Sequence, residues 1–164
     1  MTEKGKGVQG ASVGHGHLKV SDLDRAVAFY RDVIGMRLVA YYGSRAAFLA
    51  FDDYHHHLGL NTWESGGGTP PPRGHTGLYH LAFLFPDRKS LGQAIGRVRD
   101  AGIELTGAAD HNVSEAVYLD DPDRNGLELY RDRPRSEWTF HPDGTPIIDN
   151  SPLDVEALLV EARE

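Results

Sequence analysis

Glu128 is where chemistry could begin in this chain. It stands within Leu127-Glu-Leu-Tyr130, a short apolar run just after the turn Asp121-Pro-Asp-Arg-Asn-Gly126. Pro fixes φ and Asn-Gly tolerates positive φ, so the turn is expected to join two strands as a hairpin. At a period of two, Leu127 and Leu129 face one way and Glu128 and Tyr130 the other. Taken alone, this carboxylate reads as the polar face of a half-exposed strand.

Two histidines upstream change that reading. Val13 to Val20 alternates as a strand, with His15, His17 and Lys19 on one face and Leu18 and Val20 on the other. Leu78 to Phe85 reads as a second strand and carries His80. The stretch from His15 to Val20 maps onto His80 to Phe85 at an offset of 65 residues, and Gly59-Leu-Asn-Thr-Trp63 maps onto Gly126-Leu-Glu-Leu-Tyr130 at 67. His15 is thereby paired with His80, and Asn61 with Glu128. Two imidazoles and one carboxylate bind a divalent metal on one face and leave the others for water, substrate or dioxygen, which suits Fe(II) or Mn(II). The spacing alone is no metal motif, because the three residues lie on separate strands. A single strand histidine is more often a hydrogen-bonded core residue; equivalence within the repeat singles these two out.

The elements that must position these residues also repeat. Ser21 is a natural N-cap, and Leu23, Ala26, Val27, Tyr30, Val33 and Ile34 follow at helical spacing until Gly35 offers a C-terminal stop. Three short apolar stretches come next, Met36 to Tyr42, Arg45 to Phe51 and His55 to Trp63, giving a βαβββ module over residues 13–63. Residues 64–77 are rich in Gly and Pro and read as a linker. Residues 78–133 repeat the pattern, with Ser90, Leu91, Ala94, Ile95 and Val98 setting a helix that ends at Gly102. The expected fold is α+β: two tandem βαβββ modules forming a curved mixed sheet around a metal-binding cleft, helices outside. Residues 1–12 read as a flexible arm, and residues 134–164 as an extension with a helix at 153–162 that buries Leu158 and Leu159.

Composition narrows the function classes. Hydrophobic residues make up 40% of the 164, enough for one core, and the net charge of -7 with scattered basic residues argues against a nucleic-acid surface. The absence of cysteine rules out disulfides, thiolate ligands and a cysteine nucleophile, so any metal must be held by His, carboxylate and water. No apolar run approaches the roughly 18 residues of a membrane span and no signal-peptide core is present, so neither membrane nor export is expected and the cytoplasm is the expected location.

The run HGHLKVSDLDRAVAFYRDVIGM resembles the opening of the vicinal oxygen chelate superfamily, and YLDDPDRNGLELY its closing strand pair. That superfamily includes glyoxalase I, fosfomycin-resistance proteins, bleomycin-binding proteins and type I extradiol dioxygenases. The resemblance covers about residues 13–133 and implies that the metal ligands are His15, chosen over its neighbour His17 by its distance from Val20, together with His80 and Glu128. The run Tyr54-His-His-His-Leu-Gly-Leu60 is similar to the His-His strand of extradiol dioxygenases, which implies His57 as catalytic acid/base. Tyr118, Pro122 and Glu128 reproduce a further spacing of those enzymes, implying that Tyr118 bonds a metal-bound substrate oxygen. His111 resembles a third family histidine after a two-residue shift.

By resemblance, then, the chain looks closest to catechol 2,3-dioxygenase-like proteins, with Fe(II) as cofactor, Mn(II) as the alternative, and a small aromatic molecule and dioxygen as substrates. A catechol must lose a proton to chelate the metal, and a neutral imidazole nearby suits that transfer. Many such enzymes carry four modules where two are seen here, so a small catechol, an unusual ring or a pocket completed by a homodimer stay open. A glyoxalase-like enzyme with Zn(II) or Ni(II) is the enzyme alternative, weakened because its fourth ligand, a carboxylate, would here be Asn61. A drug-binding protein of the bleomycin-resistance kind is the non-enzyme alternative.

Overall fold

The computed structural model describes residues 8–164, so the first part of the expected arm, residues 1–7, lies outside the described residues. The chain runs β1 (Gly16–Lys19), α1 (Leu23–Ala28) continued by a π-helical turn (Phe29–Ile34), β2 (Arg37–Tyr42), β3 (Ala46–Ala50) and β4 (Leu58–Asn61). It then repeats as β5 (Leu81–Leu84), α2 (Arg88–Asp100), β6 (Gly107–Asp110), β7 (Ser114–Asp120) and β8 (Gly126–Asp132), and ends in a 3-10 turn (Arg135–Glu137) and α3 (Val155–Glu161). The two four-stranded sheets have the same order, β1-β4-β3-β2 and β5-β8-β7-β6, and in both the first strand pairs parallel with the last. Two βαβββ modules with mixed sheets are thus the architecture, as the sequence led one to expect.

Each sheet turns one face to the helices. Leu18, Leu58 and Leu60 of the first sheet, and Phe83, Leu127 and Leu129 of the second, are buried with Tyr30, Ile34, Leu91, Ile95 and Leu158 in one continuous core. The alternate positions, His17 and Lys19 on β1 and Ala82 and Leu84 on β5, are exposed. Polar ties also cross between the modules: Ser21 Oγ donates to Asp123 at 2.5 Å, Arg25 pairs with the same carboxylate at 2.7 Å, and the buried Tyr30 hydroxyl donates to Asp121 at 2.8 Å. No helix among the described residues is long and apolar enough to cross a membrane.

Several local expectations are corrected. At the first helix Asp22 rather than Ser21 caps the N-terminus, accepting from the Arg25 N–H at 3.0 Å, because Ser21 is engaged by Asp123. In the turn before β8 the positive φ falls on Arg124 (60°), not on Asn125-Gly126. Asp121 organises that turn by accepting from the Asp123 and Asn125 N–H groups, each at 2.8 Å. Gly126 is needed for a different reason: a Cβ there would come within 2.3 Å of the Tyr79 carbonyl oxygen. His55, His56 and His57 precede β4 in an irregular loop instead of lying on the strand.

The pairing registers correct the repeat itself. Gly16 pairs with Leu58 on β1 and β4, whereas its counterpart Leu81 pairs with Leu127 on β5 and β8. The equivalent of Glu128 is therefore Gly59, since His17 pairs with Gly59 and Ala82 with Glu128; Asn61 corresponds instead to Tyr130. The same comparison sets Phe48, opposite Gly59, against Tyr118, opposite Glu128. The two-residue slip keeps every side chain on its face, because side chains alternate with period two, so hydrophobic patterning could not reveal it.

Candidate metal centre

The second module assembles the polar cluster. Its parallel β5–β8 pairing places His80, just before β5, beside Glu128, and the antiparallel β7–β8 pairing sets Tyr118 directly opposite Glu128. His80 Nε2 lies 3.0 Å from Glu128 Oε2, and the Tyr118 hydroxyl lies 3.2 Å from Glu128 Oε1. His111, in the loop between β6 and β7, reaches the other side of that hydroxyl with Nε2 at 2.6 Å. Its Nδ1 is 2.6 Å from the backbone carbonyl of Asp149. Four side chains from separated stretches of sequence thus form one line, His80 to Glu128 to Tyr118 to His111.

Burial and the carboxylate set the electrostatics of this line. Loss of solvent, and then the nearby Glu128 charge, push the Tyr118 phenol up to about 12, so it stays protonated at neutral pH. A carboxylate can only accept, so His80 Nε2 carries the proton in this arrangement, and its buried Nδ1 has no hydrogen-bond partner. An imidazole nitrogen and a carboxylate that converge on each other fit the donor chemistry of a divalent metal of the Fe(II) or Mn(II) type. Among the described residues, no three His, Asp or Glu side chains are gathered into a group that could hold a metal ion.

The first module holds the remaining predicted residues. His15 immediately precedes β1, where His80 precedes β5, and its ring packs on His56 with centroids 4.5 Å apart. His57 accepts the Phe51 N–H at Nδ1 over 3.1 Å, which leaves its Nε2 carrying the ring proton. His15 and His57 both line a cavity of about 500 Å³, walled by Phe51, Leu81, Phe83 and Phe85. The structure therefore brings His80, Glu128, Tyr118 and His111 together, and places His15 with His57 around an apolar cavity. At the first module's equivalent of Glu128, Gly59 has no donor, and the His17 ring packs where a Cβ would stand, 2.8 Å away. Partial loss of solvent against its neighbours, and then the nearby His15, shift the His17 imidazole pKa downward.

Some contributors to this arrangement carry no signal in the sequence. The Asp149 carbonyl is a backbone group, and the segment that brings it to His111 belongs to the polar, Pro-rich tail. The bridge between Asp110 and Ser151 and the bond from Asn112 Nδ2 to the Ile147 carbonyl, 2.8 Å, fasten that segment to the β6–β7 loop. Asn112 sits at φ 68°, a conformation that Asn tolerates, which is the one local hint.

Comparison with known proteins places these features in a family context. Residues 12–129 match the Glyoxalase/Bleomycin resistance protein/Dioxygenase superfamily. Catechol-2,3-dioxygenase of Bacillus subtilis (strain 168) is 41% identical over 152 residues, covering 93% of this chain and 52% of that protein. Biphenyl-2,3-diol 1,2-dioxygenase 3 of Rhodococcus globerulus is 36% identical over 121 residues, 73% of this chain and 63% of that protein. The chain thus spans about half to two thirds of the length of these relatives. Among solved structures, a lactoylglutathione lyase from Agrobacterium tumefaciens aligns with TM-score 0.59 at 25% identity, covering 76% of this chain and 96% of that one. A glyoxalase/dioxygenase from Nostoc punctiforme shares the fold with TM-score 0.63 at 20% identity, covering 81% of this chain and 100% of that one.

Proposed function

This chain belongs to the Glyoxalase/Bleomycin resistance protein/Dioxygenase superfamily, and from that premise we propose that it is an extradiol dioxygenase, opening the ring of a catechol-type aromatic with dioxygen. The observation that carries the reading is the line His80, Glu128, Tyr118, His111, which sets two metal-type donors beside a phenol and an imidazole able to handle a proton. His80 and Glu128, with His15 from the first module, are the residues proposed to hold Fe(II), or Mn(II) in its place. When bound, such a metal supplies Lewis acidity toward the catechol hydroxyls and a meeting point for ring and dioxygen.

The chain's own groups then divide the remaining work. Tyr118, protonated at working pH, has one hydroxyl proton, and that proton turns to a substrate oxygen as negative charge grows there. His111 holds that hydroxyl from behind at 2.6 Å. His57 carries its ring proton on Nε2, because Nδ1 accepts from Phe51, so at rest it is a hydrogen-bond donor, and its proposed acid/base work requires Nδ1 to give up the Phe51 N–H and take a proton. The cavity walled by Phe51, Phe83 and Phe85 offers an apolar seat for an aromatic ring. Positioning is the main contribution asked of the protein.

The relatives named as acting on catechol and biphenyl-2,3-diol support the substrate class. The lyase reading draws on the fold shared with a lactoylglutathione lyase. Against it, the position equivalent to Glu128 in the first module is Gly59, and Asn61 Oδ1 accepts the Trp63 N–H at 3.1 Å, so neither offers a fourth ligand. The test is metal analysis of the purified protein, reconstitution with Fe(II) or Mn(II), and oxygen uptake with catechol and biphenyl-2,3-diol. Stoichiometric uptake with ring-opened product is expected. No uptake with either metal, together with isomerisation of a thiohemiacetal by a Ni(II) or Zn(II) form, would replace this reading with the lyase. Binding of an aromatic drug by metal-free protein, with no turnover in any form, would replace it with sequestration.

A further inference from the structure

The segment 147–151 lies beside the β6–β7 loop and ends in an unusual relation for a polar tail: its backbone touches the far end of the candidate centre. Asp149 N–H donates to the His111 carbonyl at 3.2 Å while the Asp149 carbonyl lies 2.6 Å from His111 Nδ1, so residue and loop clasp each other twice. Asn112 Nδ2 donates to the Ile147 carbonyl at 2.8 Å, and Asp110 and Ser151 exchange both backbone bonds, at 2.9 and 3.0 Å. The segment is thus anchored on both sides of Asp149.

A backbone carbonyl has no proton to give. The contact at His111 Nδ1 is therefore a bond donated by the ring, and the Nδ1–H form of His111 is selected. In the neutral ring Nε2 is then a lone pair facing the Tyr118 hydroxyl at 2.6 Å. The opposite tautomer would set lone pair against lone pair at Asp149 and N–H toward the hydroxyl, turning the Tyr118 proton from the ring to its other acceptor, Glu128 Oε1 at 3.2 Å. We propose that the 147–151 segment is a positioning element of the site, in which the Asp149 carbonyl fixes the His111 tautomer and His111 in turn fixes the rotamer and proton direction of Tyr118. The outer group sets which nitrogen of the inner histidine works, as hydrogen-bonded partners do for histidines generally. Its consequence for turnover rests on the dioxygenase reading; the tautomer itself does not.

The test reads the histidine ring directly. Long-range proton–nitrogen NMR of protein with nitrogen-15-labelled histidine, free of metal, should show His111 as the Nδ1–H tautomer, assigned by loss of its signals in His111→Gln. Two variants loosen the anchor without touching the line of side chains: Asn112→Gly, which keeps the positive φ accessible and removes the amide, and Ser151→Pro, which removes one bridge bond. Each should return His111 toward the Nε2–H form that free histidine prefers, with an unchanged melting temperature for Asn112→Gly. In oxygen uptake by the iron-loaded protein, kcat should differ between variants and parent with KM within about twofold, the pattern of a group acting in the transition state. An Nε2–H signal in the parent protein overturns the proposal, as do variants whose spectra match the parent. If the parent and variant spectra come out as expected while no form consumes oxygen, the positioning stands and the dioxygenase reading falls.

Discussion

His80 and Glu128 face each other at 3.0 Å across the parallel β5–β8 pair, with the imidazole Nδ1 buried and unpartnered behind them. The relation is local to the second module. In the first, the equivalent of Glu128 is Gly59, and an imidazole from β1 packs over it.

From this asymmetry follows a division of variants. Glu128→Ala and His80→Ala are each expected to lower Fe(II) affinity by about 10-fold or more, whereas His57→Ala, whose Nδ1 is engaged by the Phe51 N–H, is expected to retain the metal and lose turnover. Equilibrium dialysis against Fe(II) under anaerobic conditions, set beside oxygen uptake, separates the two effects. Equal metal loss in all three variants would place His57 among the ligands and undo the assignment.

Tyr118→Phe removes one oxygen that touches both His111 and Glu128 and leaves the ring in place. Metal binding should be kept and kcat reduced by about 10²-fold, as for loss of a donor aimed at developing charge. Steady-state oxygen uptake gives the value, and a variant as fast as the parent would remove Tyr118 from the mechanism.

Glu115, 1% exposed on β7, accepts from Arg131 at 2.7 Å and pairs with Arg88 and Arg133. Through Arg88 the network continues to Glu161 on α3 at 2.9 Å, so it ties the last helix to the second sheet. Glu115→Gln leaves guanidinium charge buried without its counter-charge and should cost about 3–5 kcal/mol of stability. Urea unfolding of parent and variant measures this; a loss below about 1 kcal/mol would show the arginines to be solvated in solution.

Acid should loosen the same region. Burial alone would raise the Asp110 carboxyl, but Arg133 and the Asn112 N–H outweigh it and hold it below the ordinary carboxylate value. A folded pKa below the unfolded one gives stability that is present above the unfolded pKa, about 3.9, and lost as pH falls through the folded value. The melting temperature should therefore be insensitive to this group near neutrality and drop below about pH 4. Asp110→Asn should flatten that acid limb. If the limb is as steep in the variant as in the parent, other carboxylates govern it.

Much of this was determined by the sequence alone. Alternation and helical spacing suffice to give two βαβββ modules, because burial of one face imposes period two on a strand and 3.6 on a helix wherever they occur. Those patterns, with the family resemblance, also single out His15, His80, Glu128, His57, Tyr118 and His111. Tertiary structure decided the rest. The pairing register of β4 and β8 made Gly59, and not Asn61, the counterpart of Glu128, a slip of two that leaves hydrophobic patterning unchanged. Backbone packing decided that His57 lies in a loop with its Nδ1 already bonded, and that a carbonyl 38 residues away in the chain chooses the tautomer of His111. Backbone carbonyls are identical in every residue, so only the folded chain can say which one points at a histidine.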